Sequence, residues 1–276
     1  MKRLLRLVGG SALLAVLCLV ASSGLGLAGV SRLAGNVACG DVITQDTTLT
    51  ADLYCPGSDG LVIGASYVTL DLAGHTLRGD GNGTGVIKRH LDDFFHDITI
   101  ENGVVRNFAS GISLGGFFDY SIENMKVTNN VEIGIGLSGD SVSVSDSTVA
   151  FNGGSGITTV QGILDTPSGI YSNDRVFHNG GDGIYTSESP SYFNGNRVTD
   201  NAGDGTFNLD DAWSFAPFYH YKNNTADRNG GVGITLSILE GGTPQSVDDQ
   251  GGNEAKLNAG GQCAVFGLTC SSIAWR

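Results

Sequence analysis

Val149-Ala150-Phe151-Asn152-Gly153-Gly154-Ser155-Gly156-Ile157, Val176-Phe177-His178-Asn179-Gly180-Gly181-Asp182-Gly183-Ile184 and Val198-Thr199-Asp200-Asn201-Ala202-Gly203-Asp204-Gly205-Thr206 are three versions of one phrase. Each holds an Asn with a Gly four residues later and a Val three residues earlier. The same pair recurs outward as Asn107–Gly111, Asn130–Gly134 and Asn229–Gly233, preceded by Val104, Val127 and Ala226. Successive glycines stand 23, 22, 27, 22 and 28 residues apart, and Ile112, Ile135, Ile157, Ile184 and Ile234 follow them. A phrase repeated at this interval describes a solenoid, in which every repeat is one coil stacked on the last.

The coils read as β. Ile98-Thr99-Ile100 and Val142-Ser143-Val144 alternate with period two, and β-branched residues dominate. No stretch between Cys39 and Cys270 keeps an apolar face at helical spacing, and 43 glycines would erode a helix. Leucine-rich repeats have similar periods, but their recurrent residue is Leu, and here it is Val or Ile. About 22 residues suffice for three short strands and three turns, with parallel strands stacked at about 4.8 Å. The fold class is all-β: a single-stranded parallel β-helix of about 7–8 coils. The rule for parallel crossovers makes it right-handed. The repeated Asn is expected at a corner, where it tolerates left-handed backbone and bonds its equivalent one coil away. A second polar column lies six residues earlier, at Asn124, Asp146, Asn173 and Asn223, with departures at Glu101 and Gly195. Such columns occur in every coil and therefore read as scaffold. A site should be local.

Residues 1–28 read as a signal peptide, with Lys2, Arg3 and Arg6 in front of an apolar run from Ser11 to Val20 and small residues at Gly26 and Ala28. Cys18 lies inside that run and is discarded with it. The implied location is secreted. Residues 38–67 form an N-terminal cap, 68–240 the repeats and 241–276 a C-terminal cap. Cys39 and Cys55 bracket the first end, Cys263 and Cys270 the last, and in an oxidising compartment each pair is expected to close locally, stapling the ends where a solenoid is weakest. Loss of the leader's three cations takes the net charge from −13 to about −16. That excludes nucleic acid as a partner, and it disfavours acidic polymers unless cations mediate. No later stretch is long enough to span a bilayer, and the chain is expected to be a monomer.

Cys39-Gly40-Asp41, Thr47-Thr48-Leu49, Cys55-Pro56 and Leu70-Asp71-Leu72-Ala73-Gly74-His75-Thr76-Leu77 resemble the start of a group of secreted bacterial right-handed β-helix proteins, and Gly251-Gly252-Asn253 with Cys263 and Cys270 resemble how such chains end. The resemblance implies the pectate-lyase-like superfamily, which contains lyases, hydrolases, epimerases, adhesins and proteins without known activity, so fold membership alone assigns no chemistry. Of the motifs that mark its polygalacturonase-like hydrolases, only Asp210-Asp211 has a counterpart. The Arg-x-Pro-x-x-Arg of its pectate lyases and the Asp-Pro-His-Asp of its alginate epimerases are absent.

If each Ile after the Gly points inward, the next residue points outward, giving a column of Ser113, Gly136, Thr158, Tyr185, Phe207 and Thr235. Tyr185 and Phe207 then form an aromatic platform for a sugar ring. An acidic stripe (Asp140, Asp165, Glu188, Asp210, Asp211, Glu240) follows these strands; in it Glu188, Asp210 and Asp211 are the candidate acid–base residues, or ligands for Ca²⁺, the one cofactor considered. The aromatic segment from Trp213 to Tyr221 could roof the platform, with Trp213 and His220 as further substrate contacts, or pack on the exterior. His178 and Asp200 occupy equivalent places and are expected to touch, and His90, His96, Asp92, Asp93 and Asp97 crowd one loop. Two functions follow: a protein that binds a polysaccharide or glycan in a groove along the strand face, acting as a lyase or hydrolase if it is an enzyme, or a non-catalytic structural or matrix rod.

Overall fold

The computed structural model describes residues 33–34, 37–88, 95–116, 119–161, 168–187, 191–210, 218–238 and 246–265. The leader lies outside them, as do Glu188, Asp211, Trp213 and Cys270. The described chain is a parallel β-helix. Ten parallel strands stack into one sheet, and a second sheet of seventeen strands is folded along a corner into two faces. One coil shows the plan: Ile184–Ser187 lies on the ten-stranded sheet, Ser191–Asn194 on the second face and Arg197–Thr199 on the third, before Thr206–Asp210 begins the next coil. Seven of the ten strands on the first sheet fall within residues 68–240, from Thr84–Ile87 to Val232–Ile238. Pairing continues beyond both bounds, with Val42 opposite Val62 at one end and Ile234 opposite Cys263 at the other.

The alternation seen in the sequence becomes an interior of stacked like residues. Ile112, Ile135, Ile157, Ile184 and Ile234 are fully buried in one column, and Val105, Val127, Val149, Val176 and Val198 in another. Each such side chain contributes roughly 1.5–3 kcal/mol by leaving water. Tyr171, Phe193 and Tyr221 stack inside the coil at 5.0 and 4.8 Å between ring centroids.

The Asn column exists, but its geometry differs from the expectation in two ways. Asn130, Asn152, Asn179, Asn201 and Asn229 are buried and chained, each side-chain oxygen accepting the backbone N–H of the preceding rung, and Asn258 extends the chain. Asn107 is not a member. Val105 pairs with Val127, so Phe108 occupies the ladder rung, and its N–H donates to Asn130 at 3.0 Å. The left-handed residue is also not the ladder Asn but the one before it: Asn129, Phe151, His178, Asp200, Arg228 and Leu257 all have φ between 54° and 59°. Turning the chain there points the next side chain inward, where an amide can satisfy the backbone of both neighbours. The Gly column answers the same crowding. A Cβ on Gly156 would stand 2.7 Å from the Gly183 oxygen and 2.8 Å from Asn179 Nδ2, too close for any side chain.

The second polar column is the other left-handed corner, exposed at Asn124, Asp146 and Asn173, with Asn102 rather than Glu101 as its early member. Directly after it runs a buried ladder that the sequence did not disclose: Ser147, Asp174, Asn196, Asn224 and Asn253. Leu257 is the misfit of the corners. It is 77% exposed and left-handed with φ 58°, where a γ-branched side chain is penalised and Asn is not. Leu257→Asn is expected to stabilise by about 1 kcal/mol, read from urea unfolding; no gain would remove the corner argument.

Cys39 and Cys55 are bonded, with Cα atoms 5.5 Å apart. Cys263 is also in a disulfide; the expected partner, Cys270, lies outside the described residues.

Candidate functional site

The outward column of the ten-stranded sheet is as the alternation requires. Ser113 pairs with Gly136, Gly136 with Thr158, Thr158 with Tyr185, Tyr185 with Phe207 and Phe207 with Thr235. Tyr185 and Phe207 are half-buried and stack, 5.5 Å between centroids with planes 6° apart. That is an offset stack, not a coplanar floor, so each ring gives part of one face to its neighbour. A sugar meets the pair along its outer face and edges.

Asp210 closes the strand Thr206–Asp210 that carries Phe207. Glu188 is the residue after Ile184–Ser187, the strand that carries Tyr185. Two further carboxylates, Asp182 and Asp204, stand each three residues before one of the rings. Asp182 Oδ1 accepts the Asp204 N–H at 2.7 Å, and Asp204 Oδ1 accepts the Val232 N–H at 2.7 Å. The second oxygen of Asp204 accepts the hydroxyl of Thr235, the outward neighbour of Phe207. Burial pushes the Asp182 carboxyl up, the Asp204 N–H pulls it down, and the Asp204 charge raises it further. These carboxylates are tied to the backbone one coil away, and Asp204 reaches the outward column through Thr235. Their signal was present in Gly-Asp-Gly at 181–183 and 203–205, but it sat inside the repeat and read as turn.

The other expected contacts are met only in part: the charge of His178 is one of the smaller influences that hold the Asp200 carboxyl down, after its bond to Arg228. His220 belongs to the strand Phe218–Lys222 on the seventeen-stranded sheet, not to the platform. Its ring stacks on Tyr192 at 4.3 Å, and its Nδ1 lies 2.8 Å from Asp248. Tyr219 and Tyr221 fill the interior, so this end of the aromatic segment is core and not a roof. The reason is register: Phe193 is opposite Tyr221, which places it on the inward side. Asp200 meets Arg228 through two bonds of 2.7 Å, while His178 stacks on Phe151. Asp140 is buried rather than solvated. Among the described residues no group of three or more His, Cys, Asp or Glu converges as a metal site would require, and no helix is long and apolar enough to cross a membrane.

The family model for the right handed beta helix region matches residues 85–241 of this chain. No curated protein matches it. Among solved structures, the A-module of the mannuronan C-5 epimerase AlgE6 of Azotobacter vinelandii is similar in fold, with 14% identity, 84% of this chain and 88% of that one covered, and a TM-score of 0.42. At that identity and TM-score the likeness carries no argument about this chain.

Proposed function

The chain belongs to the right-handed β-helix family, and on that premise we infer that it is an exported protein that binds carbohydrate along its ten-stranded sheet. The observation that carries this reading is the outward Tyr185–Phe207 stack, the one pair of neighbouring aromatic side chains on that sheet's outward column among the described residues. Rings supply apolar contact to a sugar face, and nearby carboxylates accept hydrogen bonds from its hydroxyls. The disulfide between Cys39 and Cys55 supports an oxidising compartment. If the surface is catalytic, Glu188, Asp210 and Asp211 supply the acid and base for glycosidic cleavage or proton abstraction.

A screen of neutral glycans, followed by titration of the best ligand, tests the reading. Tyr185→Ala or Phe207→Ala is expected to weaken binding by about 1–2 kcal/mol and to leave folding nearly intact, since both side chains stand outside the coil. Asp210→Asn or Asp211→Asn is expected to abolish any turnover and spare binding. Affinity unchanged in both aromatic variants would retire this site and favour the structural rod.

A further inference from the structure

The cations of this acidic chain are not scattered. Nine Lys and Arg fall among the described residues, and seven of them lie on the third face and its corner: Arg78, Arg106, Lys126, Arg175 and Arg197, with Arg228 and Lys256 beyond. The inward residue of each short strand there is a buried Val, Leu or Ala, and the residues on either side of it face outward, the long cations exposed (Arg106 only in part) and the small Thr128, Ala150 and Thr199 covered. Arg228 and Lys256 are already paired with Asp200 and Glu254. Arg106, Lys126, Arg175 and Arg197 form no ion pair with a carboxylate among the described residues, although Asp52, held down first by the Thr76 N–H and then by His75, also feels the charge of Arg106, and Arg78 lies over the Tyr54 ring at 4.3 Å.

The face is shaped as well as charged. A groove of about 610 Å³ runs over Thr128, Thr148 and Ala150, small residues that form its floor, between Arg106 and Lys126 at one end and Arg175 at the other. Phe151, 52% exposed, stands on its side, and Phe177 packs against Phe151 edge-on at 5.5 Å. Arg106 and Asn129 are shared with a second depression that reaches Tyr54 and Arg78, and Arg175 and Phe177 with a third that reaches Arg197 and Arg228. Five rungs separate Arg78 from the rung of Arg197, roughly 24 Å at the spacing of parallel strands.

We propose that this groove is a second, separate binding site, and that its ligand is a linear acidic polysaccharide carrying a carboxylate or sulfate on each sugar or each disaccharide. The cations come at most one to a rung, Arg78 and Arg106 on one side of the inward column and Lys126, Arg175 and Arg197 on the other, with none on the rung of Thr148 and Ala150; each rung advances by about the length of one pyranose ring, so a thin extended polyanion can meet them in turn. Guanidinium forks suit planar or tetrahedral oxyanions, and exposed aromatic rings suit the sugar between charges. A nucleic acid duplex is wider than the stripe and would bring the acidic remainder of the surface into contact with phosphates. The site does not depend on the Tyr185–Phe207 reading: it lies on another sheet and takes a ligand of opposite preference. It also reverses the sequence expectation that acidic polymers need a bridging cation.

Binding of hyaluronan (carboxylate), dextran sulfate (sulfate) and unsubstituted dextran by the whole mature chain tests the proposal. The expected result is binding of at least one polyanion and not of dextran, weakening steeply with salt and unchanged by EDTA. Lys126→Ala with Arg175→Ala should lower that affinity at least tenfold with the unfolding midpoint preserved, while Lys222→Ala, on another face, leaves it unchanged. Lys126→Arg should retain it, which separates charge from folding. Equal affinity in the double variant, loss of binding on chelation, or tighter binding of duplex DNA or of anionic vesicles than of either polysaccharide would each overturn the assignment.

Discussion

Asn179→Leu is expected to destabilise the protein by about 3–5 kcal/mol, the cost of several buried polar groups losing partners at once. Asn179 Oδ1 accepts both the backbone N–H and the Nδ2 of Asn152, at 3.1 and 3.0 Å. Its own Nδ2 donates to the Val149 oxygen at 3.1 Å and to Asn201 Oδ1 at 2.9 Å. Leu shares the branched shape of Asn but is larger, so no cavity forms and the loss combines unpaired polar groups with overpacking of the corner. The Asn152 N–H keeps no acceptor, and three other groups lose one partner each. A fit comparison is Asn173→Gly at the exposed corner, expected to cost only a few tenths of a kcal/mol because left-handed backbone suits Gly. Urea unfolding of the two variants decides it. Similar small losses in both would mean that the ladder is decoration and that stacking of Ile and Val alone holds the coils. Amide exchange should also quicken first in the coils around Asn152 and Asn201.

Why the fold was legible and the ladder register only in part follows from what a repeat records. The Gly column, the Ile column, the Val column from Val127 onward and the outward file through Tyr185 and Phe207 follow from the repeat and its period-two alternation, which the structure keeps; Val104, expected in the Val column, is the outward neighbour of the inward Val105. The Asn–Gly spacing is less reliable because a coil can carry an extra residue on either side of its corner. Residues 107–130 span 23 positions where the sheet repeats by 22, and so Asn107 landed one place early while Phe108 took the rung. The second buried ladder was missed because its members vary among Ser, Asp and Asn, which only their hydrogen bonds unite. Asn258 escapes the repeat phrase because Gln262 stands where the Gly four residues later is expected. The basic face was invisible for a different reason. Its cations from Arg78 to Arg197 stand 20 to 49 residues apart in sequence, and net charge sums over all faces, so a chain at −13 can still carry a positive stripe. Only the stacking of coils brings Arg106, Lys126, Arg175 and Arg197 together.

Asp174→Asn is expected to stabilise the protein by on the order of 3–4 kcal/mol above pH 8 and by almost nothing near pH 4. Asp174 stands in the second ladder, fully buried, where the following rungs are Asn196, Asn224 and Asn253. One carboxyl oxygen accepts the Ser147 N–H at 2.9 Å, and the other is buried without a partner. At equivalent rungs an amide nitrogen fills that place and donates to the strand one coil back, Asn196 to Tyr171 at 2.8 Å and Asn224 to Phe193 at 2.7 Å. By register the acceptor for residue 174 is the carbonyl of Val144, which an ionised oxygen cannot satisfy but a protonated one can. Burial therefore pushes the Asp174 carboxyl up from 3.8 to about 7; the Ser147 N–H opposes the shift, and the charge of Asp146 and the Ser172 N–H add smaller effects upward and downward. Tyr171, also buried, adds no charge, because burial holds its hydroxyl protonated well above the usual range. The folded state keeps its proton where the unfolded state has released it, so no penalty exists below pH 3.8, and stability falls as pH rises from there to about 7, then levels. Each unit of that interval is worth about 1.4 kcal/mol. The Asn variant, which always donates, should lack the slope, so the difference between the two urea curves should grow from pH 4 to pH 8 and cancel every other titrating group. A difference that stays constant with pH would show that Asp174 is ionised in the coil and held by partners other than a proton.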